Sequence, residues 1–229
     1  MSYFPMYIEL ENAKCLVIGG GNVAYRKVKV LQEFGAHVTV IGKEIDANIK
    51  MCQGKITCIL AAINREVLAV SEGIIPLMDQ KQVEESKAIS VQDYQLVIAA
   101  TDDVQLNHEI AELCKKKNVP VNAVDQQEDC TFIFPSYYKA GKLTMSLTTS
   151  GSSPYYAAKL REKLQNEIPD MTEEFLKQMS DVRVRIKECM EDSTERGRVL
   201  KQMVVYAMEH NRILTDEEIT GFLENGKYE

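Results

Sequence analysis

A chain of 229 residues, 45% hydrophobic and 27% charged, is long enough to bury one large or two modest cores without disulfide staples. Its net charge of −7, from 27 basic and 34 acidic residues, argues against a sequence-independent nucleic-acid binder, which needs a basic face to displace counterions. No apolar run approaches the ~20 residues that span a bilayer, so no membrane association is expected. The opening MSYFPMYIEL lacks the basic start and long apolar core of a signal peptide and reads as a short edge strand. Six cysteines (Cys15, Cys52, Cys58, Cys114, Cys130, Cys189) are scattered with no CxxC pair. They are expected to be reduced thiols of a cytoplasmic protein, with no metal site among them.

Residues 15–41, CLVIGGGNVAYRKVKVLQEFGAHVTVI, predict a strand, a glycine turn, a helix and a second strand. The first strand is the short apolar run Cys15 to Ile18. Apolar residues then recur at Val23, Val28, Val30, Leu31 and Phe34 until Gly35 stops the helix, and Val38 to Ile41 is strand two. In this context the pattern Gly19-x-Gly21-x-x-Ala24 reads as a dinucleotide turn. Gly19 permits the tight bend, Gly21 lets the backbone approach a pyrophosphate, and Ala24 lets the helix pack closely on the strand. The anion would sit on the helix N-terminus.

Ile56 to Leu60 and Tyr94 to Ala100 are further strands. A helix over 103–117 carries Leu106, Ile110, Leu113 and Cys114 on one face, and VPVNAV gives a strand ending at Asp125. Strands alternating with helices imply an α/β fold with a Rossmann-type parallel sheet covered on both faces. Residues 61–92 hold Pro76 and a charged stretch without clear periodicity, and stay unassigned. After Asp125 the pattern changes. TFIFPSYY and KLTMSLTTS read as a hairpin turning at Gly141, and from Pro154 the text is helical, with Tyr155, Ala158, Leu160 and Leu164 on an apolar stripe. Further helices are expected over 171–191, 195–210 and 215–224, the last opened by a Thr215/Glu218 capping box. The expected division is a Rossmann domain over 1–125, a hairpin region over 126–150 and an all-helical domain over 151–229.

In open parallel sheets ligands bind beyond the carboxyl ends of the strands. That rule selects Gly19 to Val23, Gly42 to Glu44, Ala100 to Asp103 (with Thr101 and Asp102) and Asn122 to Asp125. Strand two ends Gly42, Lys43, Glu44, which is compatible with NAD or NADP. Asp125 follows an apolar strand into the crevice, and on the residues alone it reads either as a turn cap or as a functional carboxylate. One of Asp102 and Asp103 is expected to cap the next helix. The segment TTSGSSP, with Thr149, Ser150, Gly151 and Ser153, is either a capping loop or a cradle for carboxylates built from hydroxyls and helix-start amides. Arg26 and Lys27 follow the glycine turn, facing an anionic ligand or solvent. His37, His108 and His210 are too dispersed for a metal cage.

With GGGNVAYRK, AATDD, NAVD, FIFPS and TTSGSSPYYAAKLREKL in that order, the chain resembles the precorrin-2 dehydrogenase / sirohydrochlorin ferrochelatase family, including the N-terminal module of siroheme synthase. The resemblance covers residues 1–170 and is interrupted over 61–92. It implies an NAD-binding Rossmann domain, a small dimerisation hairpin and a helical C-terminal domain. It also implies that Asn22 and Val23 contact the nucleotide, that Lys43 and Glu44 lie near its ribose, that Asp125 is the aspartate of the chemistry, and that Thr149, with Ser150, Gly151 and Ser153 beside it, lines the tetrapyrrole pocket. The implied enzyme is stand-alone, without a methyltransferase module. It would be a homodimer that oxidises precorrin-2 to sirohydrochlorin with NAD, in siroheme or cobalt tetrapyrrole synthesis, with metal insertion using Fe²⁺ or Co²⁺ as an added activity. The competing reading is a non-catalytic NAD(H)-sensing module.

Overall fold

The computed structural model describes residues 3–63, 73–79 and 88–225. The chain divides into two compact units, Met1–Phe134 and Pro135–Glu229.

The first unit is built on seven strands: β1 (Lys14–Ile18), β2 (His37–Gly42), β3 (Ile56–Ile63), β4 (Ile74–Asp79), β5 (Ala88–Ser90), β6 (Leu96–Ala99) and β7 (Val121–Ala123). They lie in the order β5-β4-β3-β2-β1-β6-β7. Five of them (β3, β2, β1, β6, β7) run parallel, with β1 at the centre pairing β2 on one side and β6 on the other. The unassigned segment supplies β4 and β5, which extend the sheet antiparallel from the outer half of β3, while residues 64–72 and 80–87 lie outside the described residues. Among the described residues of this unit the α-helices are α1 (Asn22–Glu33), α2 (Ala47–Lys50) and α3 (Val104–Lys116).

Alternation along β1 explains why it is apolar throughout. Leu16 and Ile18 face the side covered by Leu106, Ile110, Leu113 and Cys114 of α3. Cys15 and Val17 face the side covered by Ala24, Val28 and Leu31 of α1. A strand buried on both faces has no polar side to present, so its run is continuous. Burying such a strand contributes on the order of 1.5–3 kcal/mol per large side chain.

The second unit starts with a hairpin, β8 (Ser136–Ala140) and β9 (Leu143–Leu147), turning at Gly141 with φ +54°. Four helices follow: α4 (Pro154–Asn166), α5 (Thr172–Cys189), α6 (Ser193–His210) and α7 (Asp216–Asn225). Phe175, Met179, Val182 and Ile186 repeat at helical spacing on α5 and pack with Val199, Met203 and Ala207 of α6 and with Ile219 and Phe222 of α7. The Thr215/Glu218 capping box forms in both directions: Glu218 N–H donates to Thr215 Oγ1 (3.2 Å) and Thr215 N–H to Glu218 Oε2 (2.8 Å).

Several expectations are corrected. Residues 3–10 form no strand, and Phe4, Met6 and Tyr7 are exposed. The outer edge of β7 is met instead by Thr131, whose N–H donates to the Val121 carbonyl (2.8 Å). TFIFP therefore runs beside the sheet, and the hairpin begins only at Ser136. Val23 is 40% exposed and belongs to no core face; α1 buries Ala24, Val28 and Leu31 at i, i+4 and i+7. On α4 the buried residue is Ala157, and Tyr155 of the expected stripe is 74% exposed.

Candidate active site

The carboxyl ends of the parallel strands open onto one cleft of about 810 Å³, lined from the first unit alone. It gathers Gly19, Gly21, Asn22 and Val23 after β1, Lys43 and Glu44 after β2, Thr101 and Asp102 after β6, and Asp125 after β7. These are the cofactor-side residues expected from the sequence, together with the candidate catalytic carboxylate. Thr149, Ser150, Gly151 and Ser153 lie in the second unit, in the loop between β9 and α4.

The glycine turn is shaped by two close approaches. A Cβ on Gly19, whose φ is +117°, would stand 2.1 Å from the Ala100 carbonyl oxygen, and one on Gly20 would stand 1.9 Å from that of Glu44. Asp46 N–H donates to the Gly20 carbonyl (2.9 Å), which ties the β1 turn to the loop after β2. Gly21 differs: a Cβ there meets no atom within 4 Å. It lines the cleft and is the N-cap of α1.

The three helix starts among the described residues of this unit are also unequal. Asp46 caps α2 by accepting from Asn48 N–H (2.7 Å), and Asp103 caps α3 by accepting from Leu106 N–H (2.9 Å). The start of α1 has no side-chain cap and no acidic residue in its first turn. First-turn amides left over at a helix start, with the positive end of the helix dipole, suit a phosphate. The uncapped α1 and the open Gly21 therefore fit a dinucleotide whose pyrophosphate rests on residues 21–23.

Asn107 organises the β6 side. It is buried on α3 and accepts from the Thr101 N–H (3.1 Å) and hydroxyl (2.7 Å), while its Nδ2 donates to the Thr101 carbonyl (3.0 Å). The 100–103 loop is thus pinned from beneath by one side chain. Of the two aspartates there, Asp103 is the cap and Asp102 lines the cleft.

Asp125 is exposed and sits two residues beyond β7 with a left-handed backbone, φ +60°, which aspartate tolerates better than most residues. Behind it, Asn122 Nδ2 donates to the Phe132 carbonyl (3.1 Å), and the Cys130 thiol donates to the Ala123 carbonyl (3.2 Å). Burial pushes the Cys130 thiol up in pKa, which suits a hydrogen-bonding rather than a reactive role. Neither Arg26 nor Lys27 lines the cleft. Lys27 Nζ lies 3.8 Å from the centre of the Phe134 ring, and burial pulls its pKa down against the opposing influence of Cys130 and Asp125.

In the 149–153 loop, Ser153 Oγ accepts from Tyr156 N–H (3.2 Å) and caps α4, while Thr149 Oγ1 accepts from Ser153 N–H (3.0 Å). Ser150 and Gly151 take left-handed backbone, with φ of +52° and +88°.

Sequence reasoning missed Asp46, the end of β3 at Ala61 to Ile63, and Asn107. The strand-end rule, applied to β3, would have found the second. A polar residue beside Leu106 and one turn before Ile110, on a face otherwise apolar, was the signal for the third.

A parallel sheet with the order β3-β2-β1-β6-β7 at its centre and an uncapped glycine turn at its switch point defines a dinucleotide-binding domain of Rossmann type. Residues 6–136 match a family described as putative NAD(P)-binding. The chain belongs to that NAD(P)-binding family. It is 31% identical over 232 residues to the siroheme synthase of Neisseria meningitidis serogroup B, covering 99% of this chain and 44% of that protein. It is 33% identical over 204 residues to that of Thioalkalivibrio sulfidiphilus, covering 89% and 37%. The chain thus spans less than half the length of these curated relatives. Among solved structures it resembles SirC, a precorrin-2 dehydrogenase, with a TM-score of 0.65 and 19% identity, covering 97% of this chain and 98% of that one. The likeness places both in one fold. Among the described residues no helix is long and apolar enough to cross a membrane.

Proposed function

We propose that this chain oxidises precorrin-2 to sirohydrochlorin with NAD⁺ as electron acceptor. One observation carries the reading: the uncapped glycine turn and the Asp125 carboxylate line a single cleft, in a chain that aligns with a siroheme synthase over nearly its whole length. The oxidation removes two hydrogens from the tetrapyrrole, one as hydride and one as proton. Bound NAD⁺ supplies the acceptor for the hydride.

Gly19, Gly21, Asn22 and Val23 hold the pyrophosphate, Lys43 and Glu44 flank the ribose, and Thr101 and Asp102 bound the cofactor from the β6 side. Asp125 accepts the proton, since its carboxylate is exposed in the cleft where a substrate can reach it. In the second unit, Thr149, Ser150, Gly151 and Ser153 meet the carboxylates of the tetrapyrrole. The accompanying organisation is a dinucleotide domain over 1–125, a dimerisation hairpin over 126–150 and a helical domain over 151–229, in a cytoplasmic homodimer.

The same carboxylate favours a second step, metal insertion, with Fe²⁺ or Co²⁺ as substrate. Two pyrrole protons must leave as the cation enters, and Asp125 is placed to accept them one at a time.

Anaerobic incubation with NAD⁺ and precorrin-2 is expected to yield sirohydrochlorin and NADH by absorbance. Asp125→Asn should lower kcat by about 100-fold or more, the usual worth of a positioned proton acceptor. No absorbance change with ample wild-type enzyme refutes the dehydrogenase. If, in addition, NAD⁺ binds and a tetrapyrrole titration gives no binding, the chain is a nucleotide-sensing module. Metal insertion no faster than the uncatalysed blank removes the second step.

A further inference from the structure

Asp129 is 3% exposed and lies four residues beyond Asp125, in a single 3-10 turn over Gln127–Asp129. No part of the proposed chemistry uses it, yet three side chains converge on its carboxylate. His108 Nδ1 meets Oδ2 at 2.8 Å, Lys115 Nζ meets Oδ1 at 3.2 Å, and Gln126 Nε2 donates to Oδ2 at 3.3 Å. His108 and Lys115 stand two turns apart on α3, so the carboxylate is gripped from two levels of one rigid helix. Lys115 also donates to the Glu128 carbonyl (3.3 Å), and Asp129 N–H closes back on the Gln126 carbonyl (3.1 Å). Burial alone would push the Asp129 carboxyl up in pKa, but its bonds to His108 and Lys115 outweigh that and hold it below the usual carboxylate range. It is therefore a charged clamp at neutral pH.

The clamp closes a short loop. Residues 124–128 run between the end of β7, fixed in the sheet, and Asp129, fixed to α3. Asp125 is the residue between these anchors that takes the left-handed backbone, a conformation that persists in a non-glycine residue where its surroundings impose it. The start of the same helix pins the neighbouring 100–103 loop through Asn107 and Thr101.

We infer that Asp129 is a positioning residue: clamped to His108 and Lys115 of α3, it fixes the 124–130 loop so that the Asp125 carboxylate is held in the cleft at a set distance from the glycine turn. The inference rests on the proposed role of Asp125. Misplacing a reacting group by about 1 Å costs on the order of 100-fold in rate.

The test uses the full chain with Asp129→Asn, which keeps the side-chain volume, and His108→Asn, which loosens the clamp from its exposed end and tolerates folding better. Both are expected to lower kcat for precorrin-2 oxidation, by about 10- to 100-fold for Asp129→Asn, while Kd for NAD⁺ stays within twofold. In an Asp125→Asn background, Asp129→Asn should cost nothing further, because the residue through which it acts is already gone. Hydrogen exchange should accelerate in the peptide over 121–132 and stay unchanged in that over 15–33. Equal losses in both backgrounds, or wild-type kcat together with wild-type exchange over 121–132, overturn the inference. If the wild-type chain does not oxidise precorrin-2, the reading of function has failed. The exchange experiment and a crystal structure of Asp129→Asn then still decide the clamp: Asp125 retaining its left-handed backbone with unchanged exchange refutes it.

Discussion

Gly20 and Gly21 are neighbours of identical chemistry whose substitution by alanine should have opposite effects. At Gly20 the new Cβ would lie 1.9 Å from the Glu44 carbonyl oxygen and 2.8 Å from Ile45 Cα, both backbone atoms that cannot swing aside. The turn must shift by more than 1 Å, a strain of the overpacking kind that costs roughly 1–3 kcal/mol. At Gly21 the Cβ meets no protein atom within 4 Å, and φ −87°, ψ −169° is extended backbone that alanine adopts. Replacing that glycine restricts the unfolded chain and should stabilise the fold by about 0.4–1 kcal/mol. For a domain of this size that is a rise in Tm of roughly 1–4 °C. The same methyl group occupies the space into which the pyrophosphate is expected to come, and lengthening its contacts to the α1 amides should weaken NAD⁺ at least tenfold, about 1.4 kcal/mol. Thermal unfolding by circular dichroism and NAD⁺ titration by calorimetry measure the two effects separately. Gly21→Ala should bind poorly and melt no lower than wild type, whereas Gly20→Ala should lose several degrees. NAD⁺ affinity within twofold of wild type in Gly21→Ala would refute the placement of the pyrophosphate.

Asn107→Ala removes all three hydrogen bonds to Thr101 and leaves that residue's backbone N–H and carbonyl without their side-chain partner; a loss of about 2–3 kcal/mol in urea unfolding and weakened NAD⁺ binding are expected. An unchanged unfolding midpoint would mean that water replaces the side chain there. In the second unit, Glu218 has a pKa lowered to about 2 by its bond to Arg212, against burial and helped by Thr215 N–H and the Tyr206 hydroxyl. A carboxylate whose pKa is lower in the folded chain contributes stability that is fully present above its unfolded value and is lost as pH falls toward the folded one. The linked contribution is at most about 3 kcal/mol, reduced because the Arg212 side chain is 44% exposed. Stability of the helical unit should therefore decline between about pH 4.5 and 2, and Glu218→Gln should flatten that limb; an identical acid limb in the variant would disprove the assignment.

The parts of the site that were legible in the sequence are those fixed by neighbours along the chain. A strand, a glycine turn and a helix within residues 14–33 specify one another through local backbone geometry, and Gly19 at φ +117° and the fully buried Ala24 play the roles their spacing assigned. Asp103 as a cap and Thr215 with Glu218 as a capping box follow from contacts three residues apart. Those facts could be read because their physics is local.

What the sequence left open was decided by groups distant along the chain. Val23 and Tyr155 fit apolar stripes yet are exposed, because which part of a helix is buried depends on what packs against it. The segment over 61–92 shows no period, since β4 adds to the edge of β3 and β5 to the edge of β4, each taking its register from the neighbouring strand rather than from its own pattern. The opening residues have the composition of a strand but form none, while Thr131 takes the outer edge of β7. Asp129 meets Lys115 across 14 residues and His108 across 21, and nothing in EDC hints at either. The sequence by itself determined that a glycine turn joins β1 to α1 and that an aspartate follows the last parallel strand. Only the tertiary structure set Asp129 against His108 and Lys115 beside that crevice, because these side chains meet only once α3 is packed on the sheet.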